Sequence, residues 1–388
     1  MRIAMDGTPL LKARTGVGNY TLRLARALEQ LDVCADIRFF FGIRRLRYLG
    51  LKRREKATSR PPAAGGTGTT FKDRLIDNLP AGLKQHTQRL AVGLEAGWHR
   101  PDLFHATNYV AENSIRPMVV TVHDLSFLRY PETHPEKRLR HLEKEFPRTL
   151  ARAAWIIADS NFTKRELVEL LQVPEARITV IHLGVSAHFH PFERHAVEAQ
   201  LRKLKLRAGR YILSVGTLEP RKNMPLLLEA YDRLPEALKK RWPLAIAGLR
   251  GWKHAGIAAR MERLARRGQL IWLGYVPDVL LPALYAGAYL FVYPSLYEGF
   301  GLPPLEAMAC GTPALVCARA SLPEVVGDAG LQIDPCSVEN MTLALTALLN
   351  DPVQRRQLSE RSLQQACNFT WQRCARKTLE VYRNVLYS

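Results

Sequence analysis

The chain has 388 residues, too many for one typical hydrophobic core and enough for two domains of about 190 residues each. Its apolar content of 47% is ordinary for a globular protein, and its six cysteines form no Cys-x-x-Cys pair, which excludes a zinc ribbon and argues against a disulfide framework. The N-terminus lacks the apolar segment of a secretory signal. We therefore expect a cytoplasmic protein with reduced thiols.

The formal net charge is +20, and basic residues are concentrated near the N-terminus. Residues 1–100 contain 19 Lys and Arg against 8 Asp and Glu, and the densest stretch, Arg44–Lys56, mixes seven basic residues with apolar ones. Two interpretations stay open: a surface that docks on an anionic membrane, at about 1 kcal/mol per basic residue, or a plain solvated basic face. Nucleic-acid binding is not favoured, because no motif of a nucleic-acid-binding fold accompanies the charge.

Short apolar runs alternate with helix-length amphipathic segments along the chain, and this βαβα order predicts an α/β protein with parallel sheets covered by helices on both faces. The pattern restarts at Tyr211, so we predict a first domain over residues 1–184, a linker over 185–210 and a second domain over 211–370. The predicted strands are Arg2–Asp6, Ala35–Phe41, Leu103–Ala106, Met118–Val122, Trp155–Ala158, Tyr211–Val215, Pro243–Ala247, Leu270–Leu273, Leu290–Tyr293 and Pro313–Cys317.

Candidate ligand-binding residues follow three of these strands, at the sheet edge where open α/β sheets bind ligands. A glycine pair, Gly16 and Gly18, comes after the first strand, but Thr21 occupies the position of the third glycine in a dinucleotide fingerprint, so an NAD site is excluded. His123 ends a strand of the first domain, where a lone histidine is by default a packed structural residue. Arg221 and Lys222 follow the first strand of the second domain, and their cations suit a diphosphate.

The most informative run is Glu298-Gly-Phe-Gly-Leu-Pro-Pro-Leu-Glu306, in which two carboxylates flank a glycine-rich turn that opens into a helix. Such a turn exposes backbone N–H donors at a helix N-terminus, which favours an anion such as phosphate. We expect Glu298 just before the turn and Glu306 in the first turn of the helix, where both would accept hydroxyl hydrogen bonds. A nucleotide sugar presents groups in that order: sugar hydroxyls, diphosphate and ribose hydroxyls.

This run, with its exit Ala307-Met-Ala-Cys-Gly-Thr-Pro313, resembles the Glu-x7-Glu signature of the retaining glycosyltransferases of family 4. The resemblance covers nearly the whole chain and implies the GT-B fold, in which two Rossmann-like domains face a central cleft. It also implies that a C-terminal helix, residues 371–388, crosses back onto the first domain.

The resemblance implies a role for each candidate residue. Lys222 would stabilise the departing diphosphate, with Arg221 as a substitute second cation because Thr217 stands where many members have arginine. His123 would contact the donor sugar near its anomeric centre and C6 hydroxyl, and Glu298 would position the sugar hydroxyls. The nucleotide would be held by Gly16, Gly18, Tyr275, Val276, Gly299, Phe300, Gly301, Leu302 and Glu306, with Glu306 on the ribose and Tyr275 and Val276 on the base.

We predict retaining, front-face transfer, in which the donor phosphate takes the acceptor proton as the glycosidic C–O bond opens. No Asp-x-Asp occurs in the chain, which favours a site without a metal or other cofactor. By analogy with relatives that carry Glu-Pro-Arg-Lys-Asn, we favour GDP-mannose as donor and a lipid-linked glycan as acceptor in surface polysaccharide synthesis. Two alternatives stay open: a GT-B sugar-nucleotide epimerase and a catalytically silent sugar-binding module.

Overall fold

The computed structural model describes residues 1–11, 16–31, 36–41, 44–47, 101–111, 115–249 and 255–387. Within these residues the chain forms two sheets with helices packed around them, which confirms the predicted GT-B architecture. All ten predicted strands are present, each with bounds within one residue of the prediction. No helix in these stretches has the length and apolarity to cross a bilayer.

The first sheet, as far as the structure describes it, has seven strands in the order β3-β2-β1-β4-β5-β6-β7, all parallel except for β3. β5 has all five of its side chains buried, as expected for a strand covered on both faces. The strands are β1 (Arg2–Asp6), β2 (Asp36–Phe41), β3 (Arg44–Arg47), β4 (Leu103–Ala106), β5 (Met118–Val122), β6 (Trp155–Ala158) and β7 (Ile178–Val180).

The second sheet has six strands in the described chain, in the order β10-β9-β8-β11-β12-β13, and all of them pair in parallel. The strands are β8 (Ile212–Val215), β9 (Leu244–Ala247), β10 (Leu270–Gly274), β11 (Leu290–Tyr293), β12 (Ala314–Cys317) and β13 (Leu331–Ile333). β13 was not predicted, because three residues at a sheet edge are too few to give a strand-like pattern.

The basic stretch Arg44–Lys56 begins with a β-strand that was not predicted from its composition. Arg44–Arg47 forms the antiparallel edge strand β3, with Phe41 opposite Arg44 and Phe39 opposite Leu46. Residues 48–56 of the predicted membrane surface lie outside the described residues.

The helices follow the strands in the order of a doubly wound fold. The longest of them, α3 and the C-terminal helix α14, have 17 residues each. The helices are α1 (Gly16–Glu29), α2 (Ser126–Arg129), α3 (Glu136–Arg152), α4 (Asn161–Leu171), α5 (Arg194–Lys203), α6 (Met224–Asp232), α7 (Glu236–Arg241), α8 (Ala255–Arg266), α9 (Leu281–Ala286), α10 (Leu302–Ala309), α11 (Leu322–Val326), α12 (Val338–Asn350), α13 (Pro352–Ala366) and α14 (Trp371–Tyr387).

The C-terminal helix α14 leaves the second sheet and packs on α1 of the first. Its Tyr382 hydroxyl lies 2.6 Å from Nδ1 of His105, and Nε2 of His105 lies 2.7 Å from the Thr121 hydroxyl, deep in the first core. At the crossing, a Cβ on Gly184 would collide with the backbone of Trp371. The close approach of the two segments therefore depends on a glycine at position 184.

Candidate functional site

The carboxyl ends of β5, β8 and β11 meet where the two sheets face each other. The segment after β5 begins with His123, the segment after β8 includes a 3-10 turn over Pro220–Lys222, and the segment after β11 leads through Glu298 into α10. Direct hydrogen bonds join these segments, including one from the Leu125 amide to the Tyr297 hydroxyl at 2.9 Å. The site is therefore built from loops of both domains, as expected for ligand binding at the ends of parallel strands.

The Glu298 carboxylate is surrounded by donors. Its Oε1 accepts from Lys222 Nζ at 2.5 Å, from the Ser295 hydroxyl at 2.6 Å and from the Tyr293 hydroxyl at 2.9 Å. Its Oε2 accepts from Arg221 Nη1 at 3.2 Å. The structure thus brings together three of the predicted catalytic residues, Glu298, Lys222 and Arg221, in one buried cluster that we call the Glu298 cluster.

Electrostatics fix the charges in the Glu298 cluster. Burial by itself opposes ionisation of Glu298, but Lys222 and then Arg221 hold the pKa of its carboxyl at about 2. Glu298 and then Glu219 outweigh the effect of burial on Arg221 and raise the pKa of its guanidinium. Burial and then Arg221 lower the pKa of the Lys222 ammonium, and Glu298 opposes that fall. The Arg221 guanidinium also pairs with Glu219 at 2.7 Å, so each cation of the cluster has a carboxylate partner.

Three residues of the cluster were missed in the sequence: Glu219, Tyr293 and Ser295. Tyr293 also accepts from Lys222 Nζ at 2.7 Å, so its hydroxyl links Lys222 to Glu298. Both Tyr293 and Ser295 lie at the end of β11, in the segment directly before Glu298. That position, at the carboxyl end of a central strand, was a signal that could have identified them. Glu219 lies three residues before Lys222 in the same turn and gave no comparable signal.

His123 is buried, and both of its ring nitrogens are engaged within the first domain. Nδ1 lies 2.6 Å from Asp159 Oδ2, and Nε2 lies 2.9 Å from the carbonyl oxygen of Thr107. Burial by itself lowers the pKa of His123, but Asp159 and the carbonyl contact raise it above its ordinary value. Because a carbonyl oxygen can only accept, Nε2 donates to Thr107, and Nδ1 faces the Asp159 carboxyl. Its predicted contact with the donor sugar stays a prediction.

Asp124, the residue directly after His123, forms its hydrogen bonds at the start of the turn that follows β5. Its Oδ1 accepts from the Ser126 amide at 2.9 Å and from the Tyr109 hydroxyl at 2.6 Å, so it caps the turn into α2. Asp159, at the end of the neighbouring strand β6, is the carboxylate that orients His123. Asp159 is 36 residues from His123 in the chain, and only the pairing of β5 with β6 brings the two together.

The glycine-rich turn meets the first domain directly. A Cβ on Gly299 would overlap the carbonyl oxygen of His123, and the Gly299 carbonyl accepts from the Ser160 hydroxyl at 2.7 Å. The close approach that Gly299 permits is thus made to the other domain, whereas the sequence analysis assigned it to a ligand. Gly301 has a φ of 115°, in the region that favours glycine. Phe300 is buried between these glycines, and Leu302 begins α10.

Glu306 lies in the second turn of α10 and not in the first, because the helix begins four residues earlier at Leu302. Burial raises the pKa of its carboxyl to about 8, and Asp278 adds to the rise while Arg23 of α1 and the Tyr285 hydroxyl oppose it. Glu306 therefore faces the loop after β10 and a helix of the first domain. Its surroundings share no charged residue with the Glu298 cluster.

The remaining nucleotide-site candidates lie around α1 and the loop after β10. Gly16 begins α1, and apart from its own neighbours in the chain and helix no described residue lies within 4 Å of the position that its Cβ would take. Gly18 is buried half a turn later. Tyr275 is 63% exposed and Val276 is 6% exposed, in the loop that also contains Asp278. The site therefore has two ends: the Glu298 cluster, and a group around Glu306 that includes this loop.

This arrangement can bind a ligand with two chemically different ends. The Glu298 cluster offers cations for an anionic group and a carboxylate for hydroxyls, and the Glu306 end offers a second carboxyl whose pKa of about 8 leaves it ready to gain donors from a ligand. Among the described residues, no group of three His, Cys, Asp or Glu side chains has the proximity to hold a metal ion.

Comparison with known proteins shows which family the chain resembles. Residues 14–189 match the model of the family Glycosyltransferase Family 4, and residues 197–365 match that of Glycosyl transferases group 1. The O-antigen chain mannosyltransferase B of Escherichia coli is 36% identical over 386 residues, which are 99% of this chain and 100% of that protein.

Two solved structures show the same fold at lower identity. WaaG, a glycosyltransferase involved in lipopolysaccharide biosynthesis, superimposes with a TM-score of 0.68 at 17% identity and full coverage of both chains. Anabaena HepE in complex with UDP-glucose superimposes with a TM-score of 0.71 at 16% identity, covering 98% of this chain and 99% of that one. With a full-length relative and two matching domain models, the chain belongs to the family 4 glycosyltransferases and is an enzyme of that class with the GT-B fold.

Proposed function

We propose that the enzyme transfers mannose, with retention, from GDP-mannose to a lipid-linked acceptor in the synthesis of an O-antigen-type glycan. The sugar and the acceptor class are supported by the full-length similarity to an O-antigen mannosyltransferase. The observation that carries the chemistry is the Glu298 cluster, in which a buried lysine, a half-buried arginine and an ionised glutamate occupy one side of the cleft.

The cluster is suited to a charged leaving group. Its two cations, Lys222 and Arg221, are balanced by Glu298 and Glu219, so the empty site is formally neutral. A donor diphosphate brings negative charge that grows as the glycosidic bond breaks, and it competes with Glu298 for both cations. Glu298 is then free to accept hydrogen bonds from sugar hydroxyls, which can replace the donors it loses. In this proposal the diphosphate takes over Lys222 and Arg221, and the sugar hydroxyls take their place on Glu298.

The Glu306 end is suited to ribose. A ribose diol donates two hydroxyls, and such hydrogen bonds stabilise the carboxylate form of an acid. The Glu306 pKa of about 8 in the empty site then falls when nucleotide binds, so binding releases a proton near neutral pH. This linkage is specific to a hydroxyl-rich ligand, because a second anion at this end would raise the pKa further.

The experiment that tests the proposed function is product analysis. The enzyme is incubated with GDP-mannose and a lipid-linked acceptor, and we expect a mannosylated product with an α-anomeric linkage by NMR, the configuration of the donor. UDP-glucose serves as the control donor. Donor consumption without a transferred sugar would contradict transfer, and an inverted linkage would contradict retention. Because we propose a metal-independent site, we expect the rate to survive excess chelator; loss of activity that Mg²⁺ or Mn²⁺ restores would contradict this.

We also propose that the basic stretch Arg44–Lys56 docks the first domain on an anionic membrane surface, where a lipid-linked acceptor resides. We expect the protein to sediment with anionic liposomes at low salt and to be released at 1 M salt, where the Debye length is about 3 Å. Reversal of Arg44, Arg45, Arg53 and Arg54 to Glu is expected to abolish sedimentation and to leave nucleotide binding unchanged. If the wild type does not sediment at low salt, the stretch is a solvated face.

A further inference from the structure

Tyr297 belongs to the second domain by sequence, but its side chain lies in the first. It directly precedes Glu298 in the loop after β11, and it is 3% exposed. Its ring contacts Tyr130 and Phe162 of the first domain, with centroid distances of 5.4 Å and 5.5 Å. Tyr297 is thus inserted between two aromatic side chains of the opposite domain.

The Tyr297 hydroxyl has one hydrogen-bond donor and one acceptor as partners, both from the first domain. It accepts from the Leu125 amide at 2.9 Å and donates to Glu166 Oε2. The other oxygen of Glu166, which is buried, accepts from Arg129 Nε at 2.7 Å. We call these residues, Tyr130, Phe162, Leu125 and Glu166, the Tyr297 pocket. A hydroxyl that fills one donor and one acceptor role in a buried pocket is expensive to remove, because each partner is then left unsatisfied.

The residues on either side of Glu298 are therefore both held by the first domain. Tyr297 occupies the Tyr297 pocket, and the Gly299 carbonyl accepts from Ser160 at 2.7 Å. The Glu298 side chain turns the other way, into the Glu298 cluster of the second domain. The Tyr297 carbonyl also accepts from Arg221 Nη1 at 3.1 Å, so the same short segment positions one cation of that cluster.

We propose that Tyr297 is a positioning residue that couples closure of the two domains to the placement of Glu298. When the domains are docked, the Tyr297 pocket fixes the backbone one residue before Glu298, and with it the direction of the carboxylate. When they separate, the pocket empties, and Glu298 loses the constraint on its backbone. A productive Glu298 is then available only in the closed enzyme, in which water is excluded from the donor.

The test uses Tyr297→Phe, which retains the ring between Tyr130 and Phe162 and removes only the hydroxyl. The matched control is Tyr231→Phe, a fully buried tyrosine of the second domain whose hydroxyl donates to the Gln269 carbonyl at 2.8 Å, remote from the cleft. We expect Tyr297→Phe to lower kcat with GDP-mannose by about 10- to 100-fold, with KM and the Kd for GDP changed by less than about 3-fold. Tyr231→Phe is expected to retain wild-type values of both.

Small-angle X-ray scattering of the donor-free protein provides a readout that needs no knowledge of the donor. We expect a larger radius of gyration for Tyr297→Phe than for the wild type or Tyr231→Phe, because the docked state is weakened. A wild-type radius of gyration would overturn the proposal, and so would a loss of kcat that Tyr231→Phe shares. If the wild type does not use GDP-mannose, the assigned donor is wrong, and the scattering comparison alone decides the role of Tyr297.

Discussion

Glu298 and Glu306 lie eight residues apart in one loop and helix, yet their surroundings drive their protonation in opposite directions. Glu298 has four donors, two of them cationic, and its pKa falls to about 2. Glu306 is half-buried, its only favourable neighbours in this balance are the Tyr285 hydroxyl and Arg23, and its pKa rises to about 8. Burial is common to both, so the partners decide the charge. Glu298 is paired with cations that a bound diphosphate can take over. Glu306 is not, and it suits a ligand that itself supplies hydrogen-bond donors.

The largest expected effect comes from removing the cation that holds Glu298. Lys222→Ala is expected to lower kcat by about 100- to 1000-fold and to change KM much less, because the charge on the departing diphosphate grows in the transition state. Steady-state kinetics with GDP-mannose measures this. Lys239→Ala is the control, since Lys239 is also a buried lysine of the second domain but pairs with Glu236 on the far side. Near-normal turnover of Lys222→Ala would exclude the leaving-group role.

The next effect concerns the Glu306 end. Glu306→Ala is expected to weaken GDP binding by about 10-fold, the cost of losing hydrogen bonds to a charged acceptor. In the wild type the affinity should rise between pH 6 and pH 8.5, because the ribose hydroxyls favour the carboxylate and its pKa in the empty site is about 8. Isothermal titration calorimetry across this pH range measures both effects. A pH-independent affinity in the wild type, or an unchanged Kd in the variant, would remove Glu306 from the ribose site.

The same pKa also predicts a smaller effect on stability. The folded protein holds the Glu306 proton up to about pH 8, whereas the ordinary pKa is 4.5. The stability associated with the protonated carboxyl is therefore complete below about pH 4.5 and is lost as the pH rises through about 8. A glutamine at this position cannot ionise, so Glu306→Gln avoids this loss at high pH. The loss in the free energy of unfolding is on the order of a few kcal/mol. We expect the Tm difference between Glu306→Gln and wild type to be larger at pH 9 than at pH 6, by thermal melts without ligand; equal differences would contradict it.

The smallest effect is expected at the hydroxyl that links Lys222 to Glu298. Tyr293→Phe removes one of four donors to the carboxylate and one partner of the lysine, so we expect kcat to fall by about 3- to 10-fold. Tyr231→Phe again controls for the loss of a buried hydroxyl. An unchanged kcat would show that Lys222, Ser295 and Arg221 hold the Glu298 carboxylate in place without Tyr293.

Much of the fold could be predicted from the sequence, because strands buried on both faces appear in it as short, continuous apolar runs such as Met118–Val122 and Leu290–Tyr293. The edge strands Arg44–Arg47 and Leu331–Ile333 could not, since neither is a continuous run of apolar residues in the sequence. The Glu298 signature with Lys222 and Arg221 was also predictable, because each follows a recognisable strand.

The partners of these residues could not be predicted, because they come from tertiary contacts. Asp159 reaches His123 through the pairing of β5 and β6, and Glu166 reaches Tyr297 across the two domains. The opposite charge states of Glu298 and Glu306 depend on the same contacts. Sequence therefore identified which side chains carry the chemistry, and the structure was needed to show how each one is held.

The C-terminal helix α14 has a consequence for the order in which the chain can fold. Burial lowers the pKa of His105 to about 3, so its ring is neutral, and a neutral imidazole needs one donor and one acceptor. Thr121 and Tyr382 are the partners that supply these, and Tyr382 lies 277 residues after His105 in the chain. During synthesis, the first domain emerges from the ribosome before Tyr382, so His105 then lacks one of its two hydrogen-bond partners. It can complete its core only after α14 has been synthesised and has left the ribosome.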